Sequence, residues 1–256
     1  MGPNRTIREH VEAFHLGFLR VLTSGTDKAH YIVKGGCNLR FWFRSVRYSE
    51  DLDLDVTITA RATLKNKVDR ILEGAALGAM LRTQGLVLGS VSAPKQTETT
   101  QRWKLMLAAE GRKSGFPTKI EFSRRGSVPS HLFEPVDAAL ARHHRVAAPL
   151  AHHYLAPAAV AQKVGALAHR SETQARDVFD LHLLLTTAVE PGAIHLDPAA
   201  RRDLPRAIER AMDVSFDDYQ GQVVVFLEPE HAAIHASRAW WDQMQSDVVS
   251  ALEALA

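Results

Sequence analysis

The chain has 256 residues, 46% of them hydrophobic, enough to bury a sizeable core as one large domain or two lobes. No apolar run reaches the roughly eighteen residues of a membrane span, and the first ten residues lack an apolar secretory core, so a cytoplasmic protein without membrane contact is expected. One cysteine excludes an internal disulfide framework and a cysteine-rich zinc site, and 31 basic against 29 acidic residues leave a net charge of only +2, so local charge pattern matters more than the sum.

In chain order, Ile7, Val11, Phe14, Phe18 and Leu22 recur at helical spacing and predict an amphipathic helix over 5–22. A strand is expected over 29–33, a glycine turn at Gly35 and Gly36, a short helix over 37–43, and a second strand over 52–58. Apolar periodicity predicts one helix over 62–84. Two antiparallel strands follow, near 85–92 and 99–106, joined by a polar turn around Pro94, Lys95 and Gln96, and a third long strand covers 117–122. The segment 133–154, broken by Pro135 and Pro149, reads as a crossing between lobes. The remainder reads as helices over 157–170, 173–187, 198–212 and 230–255, with Pro157 well placed in a first turn. The domain division expected is 1–133 and 134–256.

The most informative stretch runs from Lys34 to Asp55. Alternate residues on a strand share a face, roughly 6.5–7 Å apart, so Asp51, Asp53 and Asp55 project one way while Leu52 and Leu54 face a core. Three carboxylates in a row repel one another, and a cation beside them relieves the repulsion. Two such side chains can bridge a pair of divalent ions about 4 Å apart, as in two-metal phosphoryl and nucleotidyl transfer. Upstream, the glycine turn allows close backbone approach, and the helix after it presents N-terminal amides to an anion. A phosphate cradle beside a metal-binding strand is the plan of a polymerase-β-like nucleotidyltransferase. Arg40, Arg44 and Arg47 around the turn, with Arg124 and Arg125 at the end of the third strand, suit a polyanionic substrate; balancing the neighbouring acids is the plainer reading for any one of them. Glu121 alternates with Lys119 and Ser123 on a polar strand face, either an active-site face or an exposed sheet surface.

These residues resemble the AbiEii/AbiGii toxin family, which includes the mycobacterial MenT toxins. The motif Lys34-Gly35-Gly36-x-x-Leu39 is followed by Arg47-x-Ser49-x-Asp51-Leu-Asp53. Then come Glu121 within Thr118 to Ser123, Lys163 within Ala161 to Arg170, and Asp177 and Asp180 within Arg176 to Leu181. The resemblance spans about residues 28–185. It implies an α+β fold: a polymerase-β-like lobe with a mixed, mostly antiparallel sheet, then a helical C-terminal lobe completing the active site. It implies a nucleotidyltransferase with Asp51, Asp53 and Glu121 as ligands of Mg²⁺ or Mn²⁺. Lys34, Gly35, Gly36, Ser49 and Lys163 would bind the nucleoside triphosphate, and Asp51, Asp53, Lys163 and Asp177 would be catalytic. The acceptor implied is RNA, at the 3′ end of transfer RNA, and the partner implied is a cognate antitoxin protein. Position 37 departs from the family, with Cys in place of the usual Thr or Ser.

The alternatives stay in view. The acceptor could be a protein or small-molecule hydroxyl, or the fold could serve as an inactive binding module. Lys163 at the border of the Val160, Val164 and Leu167 stripe also fits a snorkelling lysine. Asp177 also fits a helix-start acid, and Arg176 can pair with Asp180 at i+4. His131, His143, His144, His152 and His153 lack ligand spacing and are expected at the surface or in packing. Of Trp240 and Trp241, one is expected to pack inward, and Cys37 reads as a small buried residue.

Overall fold

The computed structural model describes residues 5–124, 130–186 and 194–256; Arg125 and Thr187 lie outside them. The chain groups into two units, Met1–Trp42 with Tyr48–Tyr154, and Phe43–Arg47 with Leu155–Ala256.

The first unit begins with α1 (Ile7–Leu22), closed by a capping box in which Thr6 and Glu9 satisfy each other's backbone amides. Then come β1 (Tyr31–Lys34), α2 (Gly35–Trp42) and β2 (Asp51–Val56). The predicted helix over 62–84 is two, α3 (Arg61–Leu72) and α4 (Ala75–Thr83). They part at Gly74, which has extended backbone and where a Cβ would lie 2.8 Å from the Arg70 carbonyl oxygen. The strands β3 (Leu86–Gln96), β4 (Thr100–Ala109) and β5 (Phe116–Arg124) form a meander. Pro94, Lys95 and Gln96, expected in a turn, belong to β3, and the turn falls at 97–99. An edge strand tolerates the proline because its missing N–H has no ladder to serve.

The segment 133–154 is not a bare crossing. It carries β6 (His131–Pro135), α5 (Ala138–His143) and β7 (Leu150–Tyr154). Its prolines sit at the end of the edge strand β6 and just before β7, where they break no central ladder. The seven strands take the order β3-β4-β5-β2-β1-β7-β6. Only β2/β5 and β1/β7 pair parallel, so the sheet is mixed and mostly antiparallel. One face packs Leu52, Leu54, Trp103, Leu105, Leu107, Ile120 and Phe122 into a core with Phe14, Phe18, Leu64 and Val68 from the helices. The alternation in β2, β4 and β5 leaves most of their charged residues on the other face, while Gln101 and Thr118 are buried on the core side.

The second unit is helical: α6 (Ala156–His169), α7 (Ala175–Thr186), α8 (Pro198–Met212), α9 (Phe216–Gln222), α10 (Pro229–His235) and α11 (Arg238–Glu253). Its core holds Val160, Val164, Leu167, Val178, Leu181, Leu184, Leu204, Trp241, Met244 and Val248. The expected helix over 230–255 splits where Ser237 caps α11 through the Trp240 amide, and α9 had no counterpart in the periodicity. Trp241 is buried and stacks on Tyr219 with centroids 4.6 Å apart, while Trp240 stays half-buried. Among the described residues no helix is long and apolar enough to cross a membrane.

Candidate active site

The acidic strand β2 lies at the middle of the sheet, between β1 and β5. Register sets the neighbours: Asp53 stands opposite Glu121 on β5 and Lys34 on β1, and Asp51 opposite Lys119. Arg102 on β4 stands opposite Glu121 in turn. Asp51, Asp53 and Glu121 therefore share one sheet face within two adjacent cross-strand rows.

The three aspartates of β2 meet different fates. Asp55 is buried, accepts the Lys34 ammonium at 2.6 Å and the Tyr154 hydroxyl at 2.7 Å, and so braces β1, β2 and β7. The expectation that all three acids project together holds by alternation only, because Asp55 is sealed by its partners. Asp51 is paired with Lys119 at 2.7 Å, and Glu121 accepts Arg102 at 2.5 Å. Each cation engages one carboxylate oxygen, and a carboxylate has two. Asp53, half-buried, has no hydrogen bond or ion pair to its carboxylate among the described residues. Burial raises its pKa; the charges of Asp51 and Glu121 push the same way, against partial relief from Lys119 and Lys34.

The glycine turn abuts this carboxylate. Gly35 opens α2 with φ +64°, and a Cβ there would lie 3.2 Å from Asp53 Oδ2, so both conformation and space ask for glycine. Gly36 follows in the first turn, with its amide at the helix start. The Ser49 hydroxyl donates to the Asp51 carbonyl at 2.9 Å, and the Cys37 thiol reaches the same oxygen at 3.2 Å. Together they pin the start of β2. Burial pushes the Cys37 thiol well above its ordinary pKa, so it stays protonated. Behind it, His15 bonds Thr118 at 2.8 Å, and burial lowers its pKa to about 4. The rest of α2 is fixed by Arg40 on Glu12 at 2.6 Å, Asn38 on the Tyr154 carbonyl, and Trp42 stacked on His153 at 4.3 Å.

The oxygen-only donor set, and an unpartnered Asp53 whose neighbours resist its ionisation, fit a hard divalent cation such as Mg²⁺ or Mn²⁺. Lys119 and Arg102 are part of this constellation and escaped the sequence reading as site residues. The alternation that placed Glu121 on a polar face also placed Lys119 there, and the same alternation in β4 selects Arg102.

In the helical unit, Lys163 is buried and donates to Asp177 at 2.8 Å and Asp180 at 2.5 Å. Asp177 also pairs with Arg170 at 3.0 Å, and Asp180 takes a forked contact from Arg47 at 3.0 and 3.1 Å. Burial alone would raise the Asp180 pKa; Arg47 and Lys163 outweigh it and hold the pKa below the ordinary value. The anticipated Arg176–Asp180 pair does not form, because Asp180 points into this cluster. The arginine group is corrected in the same way. Arg40 and Arg47 neutralise buried acids, Arg124 braces the Thr59 carbonyl and Gln101, and Arg44 is exposed. The histidines are structural or superficial: His144 bonds buried Glu12 at 2.7 Å, and His143 is exposed on Glu9.

A glycine-initiated helix set against paired strand carboxylates, on a mixed sheet followed by a helical unit, defines a polymerase-β-like nucleotidyltransferase. The sequence matches the family described as "Nucleotidyl transferase AbiEii toxin, Type IV TA system" over residues 18–254, and the chain belongs to that family. It is thus a nucleotidyltransferase toxin of a toxin–antitoxin system.

Solved structures agree in fold. The protein JHP933 from Helicobacter pylori has 18% identity and a TM-score of 0.59, over 96% of this chain and 94% of that one. A putative nucleotidyltransferase from H. pylori has 18% identity and a TM-score of 0.56, over 96% of each chain. MenT4, a nucleotidyltransferase toxin from Mycobacterium tuberculosis, has 17% identity and a TM-score of 0.60, over 96% and 92%. No curated protein matches the sequence.

Proposed function

We propose that the protein transfers a nucleotide from a nucleoside triphosphate to an RNA hydroxyl, at the 3′ end of transfer RNA, and so blocks translation in the cytoplasm until its antitoxin intervenes. The observation that carries this reading is Asp53. It is an unpartnered carboxylate held against Gly35 and flanked by Asp51 and Glu121. Such a group gains most from a cation.

Asp51, Asp53 and Glu121 would hold Mg²⁺ or Mn²⁺, which when bound supplies charge neutralisation at the α-phosphate and lowers the pKa of an attacking hydroxyl. The amides at Gly35 and Gly36 receive the triphosphate at the start of α2, where the helix dipole favours negative charge. Ser49 holds the β2 entry in register with that cradle, and Lys34, tied to Asp55, fixes the strand beside it. The acceptor hydroxyl gives up its proton to solvent as its oxygen forms a bond to the α-phosphorus; the bond from that phosphorus to the bridging oxygen breaks, and pyrophosphate leaves with the electron pair. The family resemblance gives Lys163, held by Asp177 and Asp180, a role in nucleotide binding; its test is Lys163→Met, with an increase in KM for nucleotide expected.

The deciding experiment incubates the purified protein with each labelled nucleoside triphosphate and with total RNA, total protein or small hydroxyl compounds, beside Asp53→Asn. Label in transfer RNA from the wild type alone supports the reading. Label in protein or a small molecule moves the acceptor class, and no label with any acceptor overturns it.

A further inference from the structure

We infer that the open sheet face beside the carboxylates, on β3, β4 and β5, is a track for the phosphodiester backbone of the acceptor strand. This rests on the RNA-acceptor reading and names where that acceptor lies. A groove of about 430 Å³ leads away from Asp51, lined by Lys119, Lys104, Met106, Ser90 and Ser92, with Glu50 at the acidic end.

The charges along it are ordered. In one cross-strand row Asp51 is followed by Lys119, Lys104 and Ser92; in the next, Glu121 is followed by Arg102 and Lys95. In both rows the inner cation is neutralised, Lys119 by Asp51 and Arg102 by Glu121. The outer cations, Lys104 and Lys95, are exposed and have no ion pair among the described residues. Lysine opposite lysine, and lysine opposite arginine, are like-charged cross-strand neighbours, an arrangement that is destabilising until an anion lies between them. Two exposed lysines side by side, each one strand beyond a cation already held by an acid, suit a polyanion entering the site rather than a single ion.

Two bulges shape the surface. The register slips between Leu88 and Val91 and again between Ser92 and Lys95, which twists the edge of the sheet under the track. No aromatic side chain of β3 or β4 lies on this face, since Trp103 is buried on the opposite side. Base stacking is therefore absent from the track, and recognition there is through phosphate, independent of sequence.

The test is the double reversal Lys95→Glu/Lys104→Glu beside Lys95→Arg/Lys104→Arg, in the whole protein. The readouts are kcat and KM for transfer RNA, the salt dependence of RNA binding, and the affinity for nucleoside triphosphate. The expected result is a rise of at least about tenfold in KM for RNA. The slope of log affinity against log salt should shrink by about 1.4, two released counterions at 0.7 each for a single strand. Nucleotide affinity stays unchanged, and the arginine pair behaves as wild type. An unchanged KM and salt slope in the reversal, with the wild type labelling RNA, overturns the track and leaves the proposed function standing. So does a loss confined to kcat or to nucleotide affinity. Wild-type label in protein instead of RNA overturns both.

Discussion

Among the buried and half-buried acids of the described residues, two groups are built in opposite ways. In the helical unit, Asp177 and Asp180 are fully enclosed and matched by Lys163, Arg170 and Arg47. On the sheet, Asp51 and Glu121 each have one cation and Asp53 has no ion pair among the described residues. A closed network fixes one geometry, because removing any member strands a charge away from water. An incomplete one stores electrostatic cost that a ligand can relieve. The same residue types thus serve as a structural joint in one unit and as an opening for chemistry in the other.

Four variants break or sharpen that contrast. The largest effect is expected on catalysis. Asp53→Asn should lower nucleotidyl transfer on the order of ten-thousandfold, about 5 kcal/mol of transition-state stabilisation, while the melting temperature in metal-free buffer holds or rises. Loss of both activity and stability would place Asp53 with the structural acids. Asp180→Ala should act first on stability, costing roughly 3–5 kcal/mol in denaturant unfolding, because Arg47 and Lys163 are left buried without it.

His15 comes next. Its pKa is lowered by burial to about 4, so the unfolded chain binds the proton first as pH falls. Above about pH 6.5 the residue is neutral in both states and has no effect; stability is lost progressively from there down through pH 4, by about 3 kcal/mol in total. The stability of His15→Gln relative to wild type should rise by about 3 kcal/mol on going from pH 7 down through pH 4, and a pH-independent difference would rule this out. The smallest effect is Gly35→Ala. The positive φ should cost about 1–2 kcal/mol of stability, and the added methyl beside Asp53 should weaken nucleotide binding measured by calorimetry.

Local chemistry was legible in the chain wherever one short segment carries it. The alternation was enough to put Asp51 and Asp53 on one face of β2 and Glu121 on a polar face of β5; that β2 and β5 pair, and that α2 begins at Gly35 rather than after a glycine turn, was not legible. The partners were not legible. Arg102 reaches Glu121 from a neighbouring strand, and Arg47 reaches Asp180 across 133 positions of sequence. Periodicity says which side a residue faces, but not which distant charge will meet it there. That is why alternation alone groups Asp55 with Asp51 and Asp53 on one side of β2, although Lys34 and Tyr154 close it off. Punctuation misled in both directions. Gly74 ended a helix inside an unbroken apolar pattern, whereas Pro135 and Pro149 suggested a linker where the sheet in fact gains two strands. Prolines at a sheet margin cost little, and only the tertiary position reveals that they lie at one.

The sealed state of Cys37 has a practical consequence for spectroscopy. Its side chain is the chain's single thiol, is about 1% exposed and is held in the protonated form. Thiolate-directed dyes and spin labels will therefore pass it by under native conditions. A cysteine introduced at an exposed position such as Glu98 becomes the sole reactive handle, with no need to delete the native one.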